Sequence, residues 1–289
     1  MAHSPQPHNS EQEHSGTMLE TDHDILIALN RNKPAEPGKP TDPVAAAPKS
    51  VPPPATAGVL YRPILRPSVA MLTVFDDGQS DGEIVRVRAE RFIIGRSEGD
   101  LLIPHDALIS PRHVEISRQR VDDRWHWTVA DLKSATGLFV RSSRAALTDQ
   151  AEFRVGSGRY RFDSPSEQSP ATADQTAPGA RHAAERRAPG QSVPHLVELS
   201  ADGIIARVAL TKNEFWIGSD PDCAICRAAD PFVEPRHVRL FCGPAGDWHA
   251  QNNKTVNGLW LRVPRVTVTD GCLFQIGEQR FRLRAGGHA

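Results

Sequence analysis

The chain has 289 residues, enough for two ordinary domains. Its 34 basic and 35 acidic residues leave a formal net charge of -1, so no molecule-wide field draws it to nucleic acid or an anionic bilayer. Four cysteines, Cys223, Cys226, Cys242 and Cys272, are too few for the disulfide framework of a small secreted protein, and a cytoplasmic location is expected.

Residues 1–66 are rich in proline, including the run Pro52-Pro53-Pro54, which removes amide donors and favours extended chain; a disordered Pro-rich tail is expected. Within it, Leu19 to Arg31 places Ile25, Leu26 and Leu29 on one side of a short amphipathic helix. The apolar stretch Ile25 to Leu29 is far shorter than the ~20 residues that cross a bilayer, and no basic run precedes it; neither a signal peptide nor membrane insertion is expected.

From about residue 67 the texture changes to short runs of Val, Ile, Leu and Phe separated by Gly, Asp and Ser clusters. The spacing predicts strands at Ala70–Phe75, Glu83–Val87, Arg91–Gly95, His113–Arg118, Trp125–Asp131, Leu138–Arg141 and Tyr160–Phe162, a pattern that suits a β-sandwich. Residues 164–193 return to Ser, Pro, Gln, Thr, Ala and Gly and read as a flexible linker.

After the linker the chain repeats itself. Phe92-Ile93-Ile94-Gly95 is echoed by Phe215-Trp216-Ile217-Gly218, Pro111-Arg112-His113-Val114 by Pro235-Arg236-His237-Val238, and Thr136-Gly137-Leu138 by Asn257-Gly258-Leu259, at offsets of 121 to 124 residues. A repeat this long is a whole domain with strands enough to bury its own core, so the expected units are 67–163 and 194–285.

Gly95-Arg96, Ser110-Pro111-Arg112-His113 and Asp131-Leu132-Lys133-Ser134 with Thr136-Gly137, in that order, resemble the signature of the forkhead-associated (FHA) domain. The resemblance implies an all-β chain of two FHA-type sandwiches of about eleven strands each. In its style it is similar to bacterial FHA proteins. It further implies that the first copy binds phosphothreonine peptides: Arg96 bonds the phosphate through its planar, permanently charged fork, Ser110 donates its hydroxyl, and Arg112, Ser134 and Thr136 complete the binding surface. Gly95, His113 and Gly137 are then structural, His113 holding the loops rather than acting as a base. Thr136 replaces the asparagine usual in the family, which narrows its hydrogen bonding to the peptide backbone.

At the matching places the second copy carries Ser219 for the arginine and Glu234 for the serine, while His237, Asn257 and Gly258 are kept. A carboxylate facing a phosphate of charge near -2 is repelled by about a kcal/mol or more, so the second site is read as degenerate. It is either a phosphate-independent interaction surface or a structural partner.

Cys223 and Cys226 have the C-x-x-C spacing of zinc and redox sites, but they align with Gly99 to Leu102, a segment leading into a strand, and are read as core residues with no metal. No phosphate loop, paired carboxylates or placed nucleophile points to an enzyme, and no cofactor is expected. The expected activity is an adaptor in Ser/Thr kinase signalling, its partner a phosphothreonine-containing protein such as a kinase or its substrate; the alternative is a phosphorylation-independent scaffold. Thr21, with Asp24 three residues on, is a candidate phosphosite through which the tail could mediate self-association.

Overall fold

The computed structural model describes residues 17–20, 69–79, 81–121, 124–165, 193–268 and 271–285. Among them every helical or extended element is a strand. One lies in the tail, β1 (Met18–Leu19). The first repeat holds β2 (Ala70–Phe75), β3 (Gly82–Val87), β4 (Arg91–Gly95), β5 (Leu101–Leu102), β6 (Val114–Val121), β7 (Arg124–Asp131), β8 (Leu138–Leu147), β9 (Ala151–Val155) and β10 (Gly158–Asp163). The second holds β11 (His195–Ser200), β12 (Gly203–Ala209), β13 (Glu214–Gly218), β14 (Ile225–Cys226), β15 (Val238–Cys242), β16 (Trp248–Asn252), β17 (Leu259–Val263), β18 (Arg265–Val268), β19 (Cys272–Ile276) and β20 (Gln279–Arg284).

The strands form because their side chains alternate between core and outside with a period of two. In β10, Tyr160 and Phe162 are buried while Arg159 and Arg161 are partly exposed; in β20, Phe281 and Leu283 are buried beside Arg280 and Arg282. The repeats are thus built alike, but they do not close separately.

The first half of β8 pairs with β17 of the other repeat, Leu138 opposite Val263 through Ser142 opposite Leu259, and its second half continues onto β16, Arg144 opposite Gln251 through Leu147 opposite Trp248. At the matching place in the second repeat, β18 pairs with β7. Beyond these crossings each repeat finishes the other's sandwich: β19 and β20 run beside β2 and β3, and β9 and β10 run beside β11 and β12. The boundaries 67–163 and 194–285 therefore mark the sequence repeats, while each packed unit takes strands from both. A contiguous copy would need its last three strands to turn back on itself. Here the antiparallel ladder between β8 and β17 carries them across instead, and one buried row, Tyr160, Phe153, Leu261, Val140, Phe274 and Phe281, runs unbroken through the junction.

The tail also contributes. Leu19 lies in a strand rather than a helix, and β1 pairs with β8, which places Glu20 under the second repeat. Glu20 is 7% exposed and its carboxylate accepts hydrogen bonds from Arg141 Nε and Asn252 Nδ2. Arg141, itself 5% exposed, also donates to Val256 O at 2.8 Å and Thr255 O at 3.0 Å. A guanidinium this deep needs a counter-charge, and Asn252 is neutral where the first repeat has Asp131, so residues 17–20 are held as part of the fold. The rest of the helix expected over Leu19 to Arg31 lies outside the described residues, as do 166–192 of the linker.

Replacing Glu20 by Gln leaves the Arg141 charge buried without a carboxylate, so urea denaturation is expected to show a loss of about 3 kcal/mol. An unchanged midpoint would exclude the contact.

Candidate functional site

Three loops of the first repeat converge at one end of its sandwich: the turn after β4, the segment between β5 and β6, and the turn between β7 and β8. All three precede the crossing in β8, so the strand exchange leaves them together. Arg96 N–H donates to Ser110 O at 2.9 Å, joining the first two loops. Ser110 Oγ accepts the Ala135 N–H at 3.0 Å, joining the second to the third.

His113 is the pin at the centre. It is fully buried, its Nδ1 accepts the Ser110 N–H at 3.1 Å, and its Nε2 bonds Gly137 O at 3.2 Å. One nitrogen accepts, so the other carries the proton and donates, which fixes a neutral imidazole. Burial is the main cause holding its pKa below the ordinary value, against the Gly137 carbonyl and the nearby Asp131 and Asp106 charges. No nucleophile touches it, and its role is architectural.

Ser134 departs from its expected role. It is buried, its hydroxyl donates to Asp131 Oδ1 at 2.5 Å and accepts the Gly137 N–H at 3.0 Å, so it braces the turn from within instead of facing a ligand. Lys133 beside it has φ of +59° and Gly137 has φ of +88°. A side chain at Gly137 would also meet Arg262 Nε at 2.3 Å, because the crossing strand β17 brings that arginine against the turn. Thr136 Oγ1 donates to Leu108 O at 2.9 Å, leaving its oxygen lone pairs, not its proton, for a peptide.

What remains available at the rim is Arg96, Arg112 and the Ser110 hydroxyl. Arg96 is partly exposed; among the described residues its guanidinium makes one long hydrogen bond, to Ala107 O at 3.4 Å, and meets no carboxylate. Arg112 is exposed on the adjoining loop with no hydrogen-bond partner among the described residues. Since Ser110 Oγ accepts from Ala135, its own hydrogen is free to donate. Two unpaired guanidinium groups and a free hydroxyl on a pinned rim can bind a doubly charged oxyanion.

The second repeat reproduces the frame without the charge. His237 is likewise fully buried, between the Glu234 N–H at 3.1 Å and Gly258 O at 3.0 Å, and its pKa is also lowered chiefly by burial. Ser219 N–H donates to Glu234 O at 3.0 Å, as Arg96 does to Ser110. Glu234 Oε1 accepts the Val256 N–H at 2.7 Å, taking over the structural half of the serine's work and offering a carboxylate where the hydroxyl proton would be. Asn257 Nδ2 donates to Phe232 O at 3.0 Å.

Several functional contacts escaped the motif reading. Asp106 of the first repeat accepts the Glu278 N–H at 2.7 Å, and Asp230 of the second accepts the Ser157 N–H at 2.9 Å, each bracing the last hairpin of the other repeat. Their matching positions in the two copies were the available signal. Cys223 is buried with its thiol toward Pro235 O at 3.2 Å, while Cys226 is exposed; no cluster of potential metal ligands occurs among the described residues. Thr21 lies outside the described residues, next to Glu20.

The geometry is that of a β-sandwich whose end loops are pinned by a buried histidine beneath an arginine and a serine. Residues 92–157 and 215–277 both match the FHA domain, and the chain carries two FHA domains in tandem. FHA domains are phosphothreonine-peptide-binding modules, not catalysts. No curated protein matches the chain. Among solved structures, full-length yeast Pml1p is similar at 19% identity and a TM-score of 0.23, over 26% of this chain and 58% of that one. Mycobacterium tuberculosis EmbR in complex with a low affinity phosphopeptide is similar at 22% identity and a TM-score of 0.21, over 33% of this chain and 24% of that one. The chain therefore spans less than two thirds of either protein.

The two buried histidines set a pH dependence. Their folded pKa values lie below the ordinary 6.5, so the unfolded chain takes up protons first as pH falls. Stability is expected to be full above pH about 7 and to fall as pH drops below about 6.5, by up to ~1.4 kcal/mol per pH unit for each histidine. Urea midpoints across that range check this, and a His113→Gln/His237→Gln protein is expected to show a flatter profile.

Proposed function

We propose that the chain is a phosphothreonine-dependent adaptor acting in Ser/Thr kinase signalling in the cytoplasm, and that the first repeat alone holds the phosphate. The observation that carries this reading is the Ser110 hydroxyl: it accepts Ala135 N–H, which leaves its own proton available on the rim shared with Arg96, whose guanidinium bonds no carboxylate among the described residues. A phosphate of charge near -2 there gains charge-assisted bonds from Arg96 and one from Ser110. The partner is a phosphothreonine-containing protein, a kinase or its substrate.

The second repeat is proposed to bind no phosphate. Glu234 fills the serine's place with negative charge and Ser219 supplies no cation, while Asn257 keeps an amide oxygen free for a peptide N–H. A phosphate-independent contact is the reading favoured for that copy.

The test uses the full chain, since each sandwich needs both repeats. A degenerate phosphothreonine peptide library is expected to be retained over its unphosphorylated counterpart, and Arg96→Ala or Ser110→Ala to weaken binding by roughly 10- to 100-fold, as loss of about 1.5 to 3 kcal/mol per charge-assisted bond implies. Equal retention of both libraries would overturn the proposal.

A further inference from the structure

The outer face of the junction sheet carries a second concentration of arginines, away from the end loops. Across the β8, β17 and β9 ladder, Arg141, Trp260 and Arg154 lie side by side, and Arg280 lies over the Trp260 ring at 4.9 Å. They line a cleft of about 630 Å³ between the two sandwiches, within the size range of small-ligand sites.

The pseudo-symmetry of the fold shows what is missing. At the related place on the other side of the crossing, Glu152 accepts from Arg159 at 2.9 Å and from Arg262 at 3.0 Å, bridging the two cations with one carboxylate. The position matching Glu152 in β19 is Leu273, while the arginines matching Arg159 and Arg262, namely Arg280 and Arg141, are kept. Arg141 is satisfied by Glu20 and loop carbonyls. Arg280 has no hydrogen-bond acceptor among the described residues. Arg154, at a position held by Gln275 in the second repeat, adds a further cation whose one hydrogen bond is to Gly277 O at 3.2 Å. Both guanidinium groups have their pKa lowered, first by burial; for Arg280 the next causes are the Arg141 and Arg154 charges. Asp76, Asp77 and Glu278 stand exposed on the lining without a hydrogen bond to either.

We infer that this cleft is a second anion site, distinct from the Arg96 rim, in which Arg154 and Arg280 take a phosphomonoester dianion. Guanidinium forks match phosphate oxygens in geometry and charge, and two of them balance a dianion. Trp260 and Leu273 supply an apolar wall, which favours an organic phosphate over the inorganic ion. Trp260 Nε1 donates to Asn257 O at 2.7 Å, so occupancy is felt by the end loop of the second repeat.

The experiment titrates phenyl phosphate into the ¹⁵N-labelled full chain carrying Arg96→Ala, which removes the first site, and follows the Trp260 indole N–H, assigned with Trp260→Phe. A saturable shift is expected, weakened at least ten-fold in Arg154→Gln/Arg280→Gln; Leu273→Glu, which restores the missing carboxylate, is expected to weaken it likewise. No saturable shift, or equal affinity in the double variant, would overturn the inference whatever the fate of the Arg96 site. A phosphothreonine peptide binding more tightly than phenyl phosphate identifies a phosphorylated side chain as the source; weaker peptide binding identifies a small organic phosphate.

Discussion

The structure depends on one ladder, the antiparallel pairing of Leu138–Ser142 with Leu259–Val263. Once those ten residues pair, everything downstream in each repeat lies on the far side, and the final hairpin must close the other repeat's sandwich. Val140 and Leu261 sit together in the buried row that runs through the junction, with Phe153 stacked on Tyr160 at 5.5 Å and Phe274 on Phe281 at 5.0 Å at matching positions to either side. The apolar surface buried along that row holds the two repeats together. Period-two alternation then sends the arginines of β10 and β20 outward to the opposite face.

Function divides along the same line. The end loops lie wholly upstream of the crossing and remain within one repeat, but they are braced from the other: Arg262 backs Gly137 in the first copy, and Arg141 holds Thr255 and Val256 in the second. Each set of end loops is thereby coupled to the crossing strands. The two copies keep the same buried histidine pin and differ at the rim, where Arg96 and Ser110 face Ser219 and Glu234. The copies differ in the rim side chains and share the frame.

Much of this was legible in the sequence. Gly95-Arg96, Ser110 to His113 and Asp131 to Ser134, in that order, identified the fold and its end loops because those contacts are local to one repeat, and each strand predicted from alternation is present. The exchange was not legible, because strand pairing is equally compatible with closure within a copy or across copies, and alternation is the same in both. Glu20 escaped for a different reason: one of several acidic residues in a proline-rich tail looks like any solvated charge until the buried Arg141 and the neutral Asn252 require it. Ser134 was given a ligand-facing role by resemblance, whereas its burial and its bond to Asp131 assign it to the turn's interior.

The most direct test of the interlocked fold is to introduce a specific protease site between residues 166 and 192, cut it, and follow the two fragments by gel filtration without denaturant. Strands exchanged across both sandwiches predict that the fragments co-migrate as one folded species at micromolar concentration and that neither fragment folds when isolated. Two folded fragments that separate on dilution alone would contradict the account.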